Sequence, residues 1–128
     1  MKKMNSGFTL IELVVVIVIL GILGITAVPR FVDLSQEAEQ AAVDGLAGAL
    51  SSGSAINYAA CKAGDAACQT IDNCTDAGSV LQAGSLPNDS NGAPYTITAS
   101  AVADDAAVSC TVQDSTATYS ASFTALGT

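Results

Sequence analysis

Histidine and tryptophan are absent from this 128-residue chain, and lysine and arginine together contribute only four side chains. Without histidine there is no Ser-His-Asp or Cys-His relay and no imidazole ligand for zinc. Twelve acidic residues bring the formal net charge to −8, which excludes a basic groove for nucleic acid on this chain alone. Aromatic residues are sparse too: Phe31, Tyr58, Tyr95, Tyr119 and Phe123 are too scattered for a stacking platform, and core packing is their expected role. No enzyme activity, cofactor or metal is expected on these grounds.

Charge is scarcest between Phe8 and Val28, where Glu12 is the only ionisable side chain. That run is about 31 Å long as a helix, the thickness of a bilayer's hydrocarbon core. Lys2 and Lys3 precede it, and the positive-inside bias holds that end in the cytoplasm and sends the remainder outward. A cleaved secretory signal would share the charged start and apolar middle, with a cut near Thr26-Ala27. Ile25 is a poor fit to the small residue wanted there, and Glu12 would be anomalous. A plain single-pass anchor also leaves Glu12 unexplained.

A carboxylate in hydrocarbon costs about 2.5–3.5 kcal/mol even on permissive insertion scales, so Glu12 needs a partner. Cleavage between Gly7 and Phe8 would create an α-amino group four residues away. That amine can neutralise Glu12 of the same or a neighbouring chain and so pair subunits in a fixed stagger.

Gly7-Phe8-Thr9-Leu10-Ile11-Glu12, followed by an apolar run and Pro29, resembles the N-terminus of a type IV prepilin. The apolar run with Pro29-Arg30-Phe31 is similar to the mannose-sensitive haemagglutinin class of these pilins. The specific likeness extends from Gly7 to about Leu50. It implies a leader, residues 1–7, removed after Gly7 by a prepilin peptidase that also N-methylates Phe8. It implies an α+β type IV pilin fold, with a long helix packed on an antiparallel sheet of about three to four strands. It further implies a homo-oligomeric pilus fibre assembled by an inner-membrane platform and used for adhesion or motility. Before assembly the subunit would sit in the inner membrane as a single-pass protein with its head in the periplasm. A minor pilin, or a pseudopilin of a type II secretion system, shares the same N-terminus. Major pseudopilins usually lack cysteines and carry a calcium loop, so four cysteines favour the pilus.

The expected organisation is an apolar helix over 8–28, its amphipathic continuation over 29–60, and a globular head over 61–128. Gly21, Gly24 and Pro29 weaken one stretch of the helix, since glycine lowers helix stability and proline removes a backbone bond. This stretch is expected to melt in a packed fibre, the alternative being a simple kink at Pro29. Arg30 has Asp33 and Glu37 as candidate partners, and a stripe through Phe31, Leu34, Ala38, Ala41, Ala42, Gly45, Leu46, Ala49, Leu50 and Ile56 is expected to face inward. Ser51-Ser52-Gly53-Ser54 weakens the last turns.

From Cys61 to about Asn91 the composition is loop-like. Strands are expected over Pro94–Ala99, Ala106–Val112 and Thr116–Thr124, with turns at Asp104-Asp105 and Gln113-Asp114-Ser115. Asp104-Asp105 reads better as a turn than as part of a calcium site. Cys61, Cys68, Cys74 and Cys110 permit three pairings, which the sequence does not decide between. The favoured one is Cys61–Cys68 with Cys74–Cys110, in the oxidising compartment implied by export.

Removing the leader takes away Lys2 and Lys3, so the side-chain charge falls from −8 to −10 and Arg30 and Lys62 are the basic side chains that remain.

Overall fold

The computed structural model describes residues 7–128; Met1–Ser6, with Lys2, Lys3 and nearly all of the expected leader, lie outside the described residues. The chain forms two compact units, one ending at Glu37 and one comprising Ala38–Thr128.

Helix α1 spans Leu10–Lys62. In the first unit every described side chain is exposed except half-buried Ala27. Helical structure there owes nothing to tertiary packing, and the run is long and apolar enough to cross a membrane. Pro29 lies within α1 without ending it. It cannot donate to the carbonyl of Ile25. One turn earlier the Thr26 hydroxyl donates to the Leu23 carbonyl at 3.0 Å, a side-chain bond that competes with the backbone ladder. Arg30 forms no ion pair with Asp33 or Glu37 among the described residues.

In the second unit α1 buries Val43, Ala47, Leu50, Ser54 and Asn57, a single stripe at alternating spacings of four and three. This differs from the expected stripe. Leu50 belongs to both, but Ala41, Ala42, Gly45, Ala49 and Ile56 face outward. Small residues do not discriminate between helix faces, and two polar residues were needed inside.

Three strands form one antiparallel sheet in the order β1-β2-β3: β1 Thr96–Ile97, β2 Ala107–Gln113 and β3 Ser120–Leu126. Cys110 lies opposite Phe123, and Val112 opposite Ala121. The alternation expected of β2 and β3 directs Cys110, Val112, Phe123 and Ala125 into the core, where they join Val43, Leu50 and Ile71. The α+β class, with the long helix packed on a small antiparallel sheet, is as the resemblance implied.

β3 begins four residues later than expected because Asp114 holds Thr116–Tyr119 in a turn. Its carboxylate accepts the N–H of Tyr119 at 2.8 Å and the N–H and hydroxyl of Thr116, and Ala117 takes φ 57°. The expected loop after Cys61 contains a 3-10 helix, Cys74–Val80, started by Asn73 and Asp76 in a reciprocal capping box. Gly53 lets this segment approach α1: a Cβ there would lie 2.7 Å from Val80 Cγ2.

The outer edge of β3 is covered by polar side chains of α1. Gln40 Nε2 donates to the Ser120 carbonyl at 3.1 Å. Ser51 Oγ accepts the Thr124 N–H at 3.1 Å, and Ser54 Oγ accepts the Leu126 N–H at 2.7 Å. An open strand edge is thereby closed to strangers. Two of the serines that weaken α1 as a helix, Ser51 and Ser54, are the ones that fasten it to the sheet.

The disulfides are Cys61–Cys68 and Cys74–Cys110, the favoured pairing. The first ties the last turn of α1 to the following loop. The second joins the 3-10 helix to β2 inside the core.

Candidate functional site

The candidate site is the start of α1 and the apolar surface that continues from it. Leu10, Ile11 and Glu12 are the first three helical residues, so their N–H groups lack carbonyl partners within the helix. Thr9 precedes them as N-cap. Its N–H and its hydroxyl both donate to Glu12 Oε2 at 2.9 Å, and Thr9 Oγ1 accepts the Glu12 N–H at 3.4 Å. This is a capping box, in which the third residue of the helix reaches back to the cap. A negative charge here also faces the positive end of the helix dipole.

Glu12 therefore has a local partner that the sequence reading overlooked. The signal was present, because a threonine followed three residues later by a glutamate, ahead of an apolar run, marks a helix start. Thr9 is the missed residue. Both donors act on one carboxylate oxygen, Oε2.

Phe8, Ile11, Glu12, Val15 and Val16 line an open groove beside the cap, with Phe8 83% exposed. Gly7 is exposed, with open space where a Cβ would point. The structure thus places Gly7, Phe8 and Glu12 within one short segment at the helix start. Gly21, Gly24 and Pro29 lie further along the same helix, and the glycines too have open space around them. The four cysteines lie in the second unit.

Several charges of the second unit are used internally. Lys62 pairs with Asp105 and lies 5.2 Å from the centre of the Tyr58 ring, while the Tyr58 hydroxyl donates to Asp105 at 3.0 Å. The Lys62 ammonium holds the Asp105 carboxyl below its usual range, assisted by the Tyr58 hydroxyl, and Asp105 raises Lys62 in return. Asp105 sits at φ 60° in the turn expected of it. Among the described residues no three acidic or cysteine side chains gather to hold a metal ion.

Residues 2–28 match the family described as the prokaryotic N-terminal methylation motif. Over 50 residues, 39% of this chain, the sequence is 52% identical to the type IV narrow pilus major component PilA5 of Thermus thermophilus. That match covers 43% of the relative's own length. No solved structure matches. The chain thus carries the N-terminal methylation motif ahead of an apolar helix and shares a homologous segment with a type IV pilus component.

Proposed function

We propose that this chain is a structural subunit of a type IV pilus. The observation that carries the reading is an apolar helical run whose described side chains are exposed from Phe8 to Val28, save half-buried Ala27, starting at a carboxylate within the methylation motif. Such a surface needs lipid or other helices, and a subunit that passes from one to the other uses both. Cleavage between Gly7 and Phe8 by a prepilin peptidase, with N-methylation of Phe8, prepares the subunit. Before assembly, residues 8–28 span the inner membrane once, with the head in the periplasm. An inner-membrane platform then draws subunits into a fibre with the apolar helices inside and the acidic heads outside.

In the fibre the Phe8 amine of one subunit meets Glu12 of a neighbour. The cap occupies Oε2, which leaves Oε1 for that amine. The stretch from Gly21 to Pro29, with no proline N–H for Ile25 and a competing Thr26 hydroxyl, unwinds once the bilayer no longer enforces its backbone bonds. The run ending in Pro29-Arg30-Phe31 supports the mannose-sensitive haemagglutinin class and a major-subunit role in adhesion or motility.

Mass spectrometry of the purified protein tests this reading. The expected result is a chain beginning at methylated Phe8, recovered from filaments sheared off whole cells. A chain retaining its first seven residues in a working fibre, or beginning beyond Ala27, overturns it. Processed protein confined to the periplasm with no surface filament favours the secretion pseudopilin instead.

A further inference from the structure

Arg30 is the one basic side chain between Gly7 and Glu37, and it is exposed with no ion-pair partner among the described residues. It stands beside exposed Phe31 and Leu34, with Asp33 and Glu37 on the same helix. The only other basic side chain among the described residues, Lys62, is already paired with Asp105.

We propose that Arg30 of one copy pairs with Asp33 and Glu37 of a neighbouring copy, a second register contact between helices; this rests on the reading that copies assemble through α1. In a parallel array without stagger each charge meets its twin: Glu12 against Glu12, Arg30 against Arg30. Sliding one copy along the axis by about a turn relieves both repulsions. A Phe8 amine reaches Glu12 after four residues, and Arg30 reaches Asp33 after three and Glu37 after seven. These offsets correspond to about 4.5–10.5 Å along a helix, within the reach of one arginine side chain around a common shift. Identical copies share any unwinding between Gly21 and Pro29, so that change leaves the displacement at Arg30 intact. The contact is heterologous, each copy offering its arginine to one neighbour and its acids to another, which builds an open filament instead of a closed dimer. Phe31 and Leu34 supply the apolar surroundings that keep water from screening the pair.

The test uses the full chain in assembling cells. Arg30→Glu is expected to reduce sheared filaments several-fold while membrane-inserted subunit persists, and the reversed triple R30E/D33R/E37R is expected to restore them. Chains carrying Arg30→Cys, produced together with chains carrying Glu37→Cys, are expected to give a reducible heterodimer within filaments, since the four native cysteines are already bonded. Unaltered filament yield in Arg30→Glu together with no heterodimer overturns the contact and leaves the pilus reading standing. Absence of any filament from the unaltered chain overturns both.

Discussion

Thr9 and Glu12 are joined three times at the start of the helix: two Thr9 donors meet one Glu12 oxygen, and the Thr9 hydroxyl accepts the Glu12 N–H in return. The carboxylate thus has a capping role in the lone subunit and, in the proposed fibre, a charge role between subunits. The two separate by mutation. Gln at position 12 keeps a carbonyl oxygen for the cap, since glutamine serves the capping box as glutamate does. It carries no charge for a neighbour's amine. Glu12→Gln is therefore expected to insert normally and to lose most filaments, as is Glu12→Ala. Thr9→Ser is expected to assemble normally. Filaments counted by electron microscopy, against subunit in the membrane fraction, check this; normal piliation in Glu12→Gln would show that capping alone is the role of this residue.

The serines of α1 provide a stability test. Ser54 is fully buried, and its hydroxyl receives the Leu126 N–H from the edge of β3. Ser54→Ala leaves that N–H without a partner and is expected to destabilise the second unit by about 1–3 kcal/mol. Ser51→Ala, at a half-buried position, is expected to cost less. Urea unfolding of the full chain in detergent micelles, followed by tyrosine fluorescence, measures both. Equal midpoints for Ser54→Ala and the parent would mean that water satisfies the strand edge.

These same residues mark what the sequence made legible. Long-range character was readable where chemistry is categorical: an apolar run broken only by Glu12, and alternating strands around Cys110 and Phe123; the cysteines permitted three pairings, and the favoured one is the one formed. The inward face of α1 was not, because alanine and glycine occupy every side of that helix. What selects the face is hydrogen bonding from Ser51, Ser54 and Asn57 to segments more than ten residues away. Asn57 alone both donates to the Gln69 carbonyl at 2.7 Å and accepts its N–H at 2.8 Å. Such partners are invisible to periodicity, which counts apolar side chains only. At the site, Thr9 with Glu12 has the spacing of a cap, but the cost of charge in lipid pointed to the amine that cleavage would create at Phe8 instead of the neighbouring hydroxyl.

Acid should act through Asp89. Its carboxylate accepts the hydroxyl and N–H of Ser115, and the N–H groups of Asn91 and Ala93, so that one side chain ties two turns together. The Ser115 hydroxyl is the largest cause of its lowered pKa, which falls to about 2 from 3.8. A carboxyl depressed in the folded state stabilises the fold above its unfolded pKa and loses that contribution as pH falls through the folded value. Stability should therefore be constant in this respect above about pH 4 and fall between about pH 4 and pH 2. Ser115→Ala is expected to raise the Asp89 pKa and to flatten the loss over that window, measured by carboxyl NMR titration and by unfolding midpoints against pH. An unshifted Asp89 in that variant would remove the hydroxyl as the cause.

The two disulfides should differ in what they contribute. Cys74–Cys110 spans 36 residues of sequence and Cys61–Cys68 spans seven. In the chain-entropy description, closing the longer loop removes more freedom from the unfolded chain, about 4 kcal/mol against about 2.5 kcal/mol. Packing widens the gap. Cys74 and Cys110 are buried in the core beside Val112 and Phe123, so replacing both by alanine also removes sulfur atoms from a filled space. Cys61 and Cys68 are only half-buried, and little packing is lost there. The double alanine variant at Cys74 and Cys110 is thus expected to unfold at markedly lower urea concentration than that at Cys61 and Cys68. Since the second unit carries all four cysteines, filament yield in the proposed fibre is an independent readout: the Cys74/Cys110 variant is expected to give fewer sheared filaments than the Cys61/Cys68 variant. If both double variants shift the urea midpoint equally, loop length and core position do not govern the effect, and local strain at the end of α1 must carry it instead.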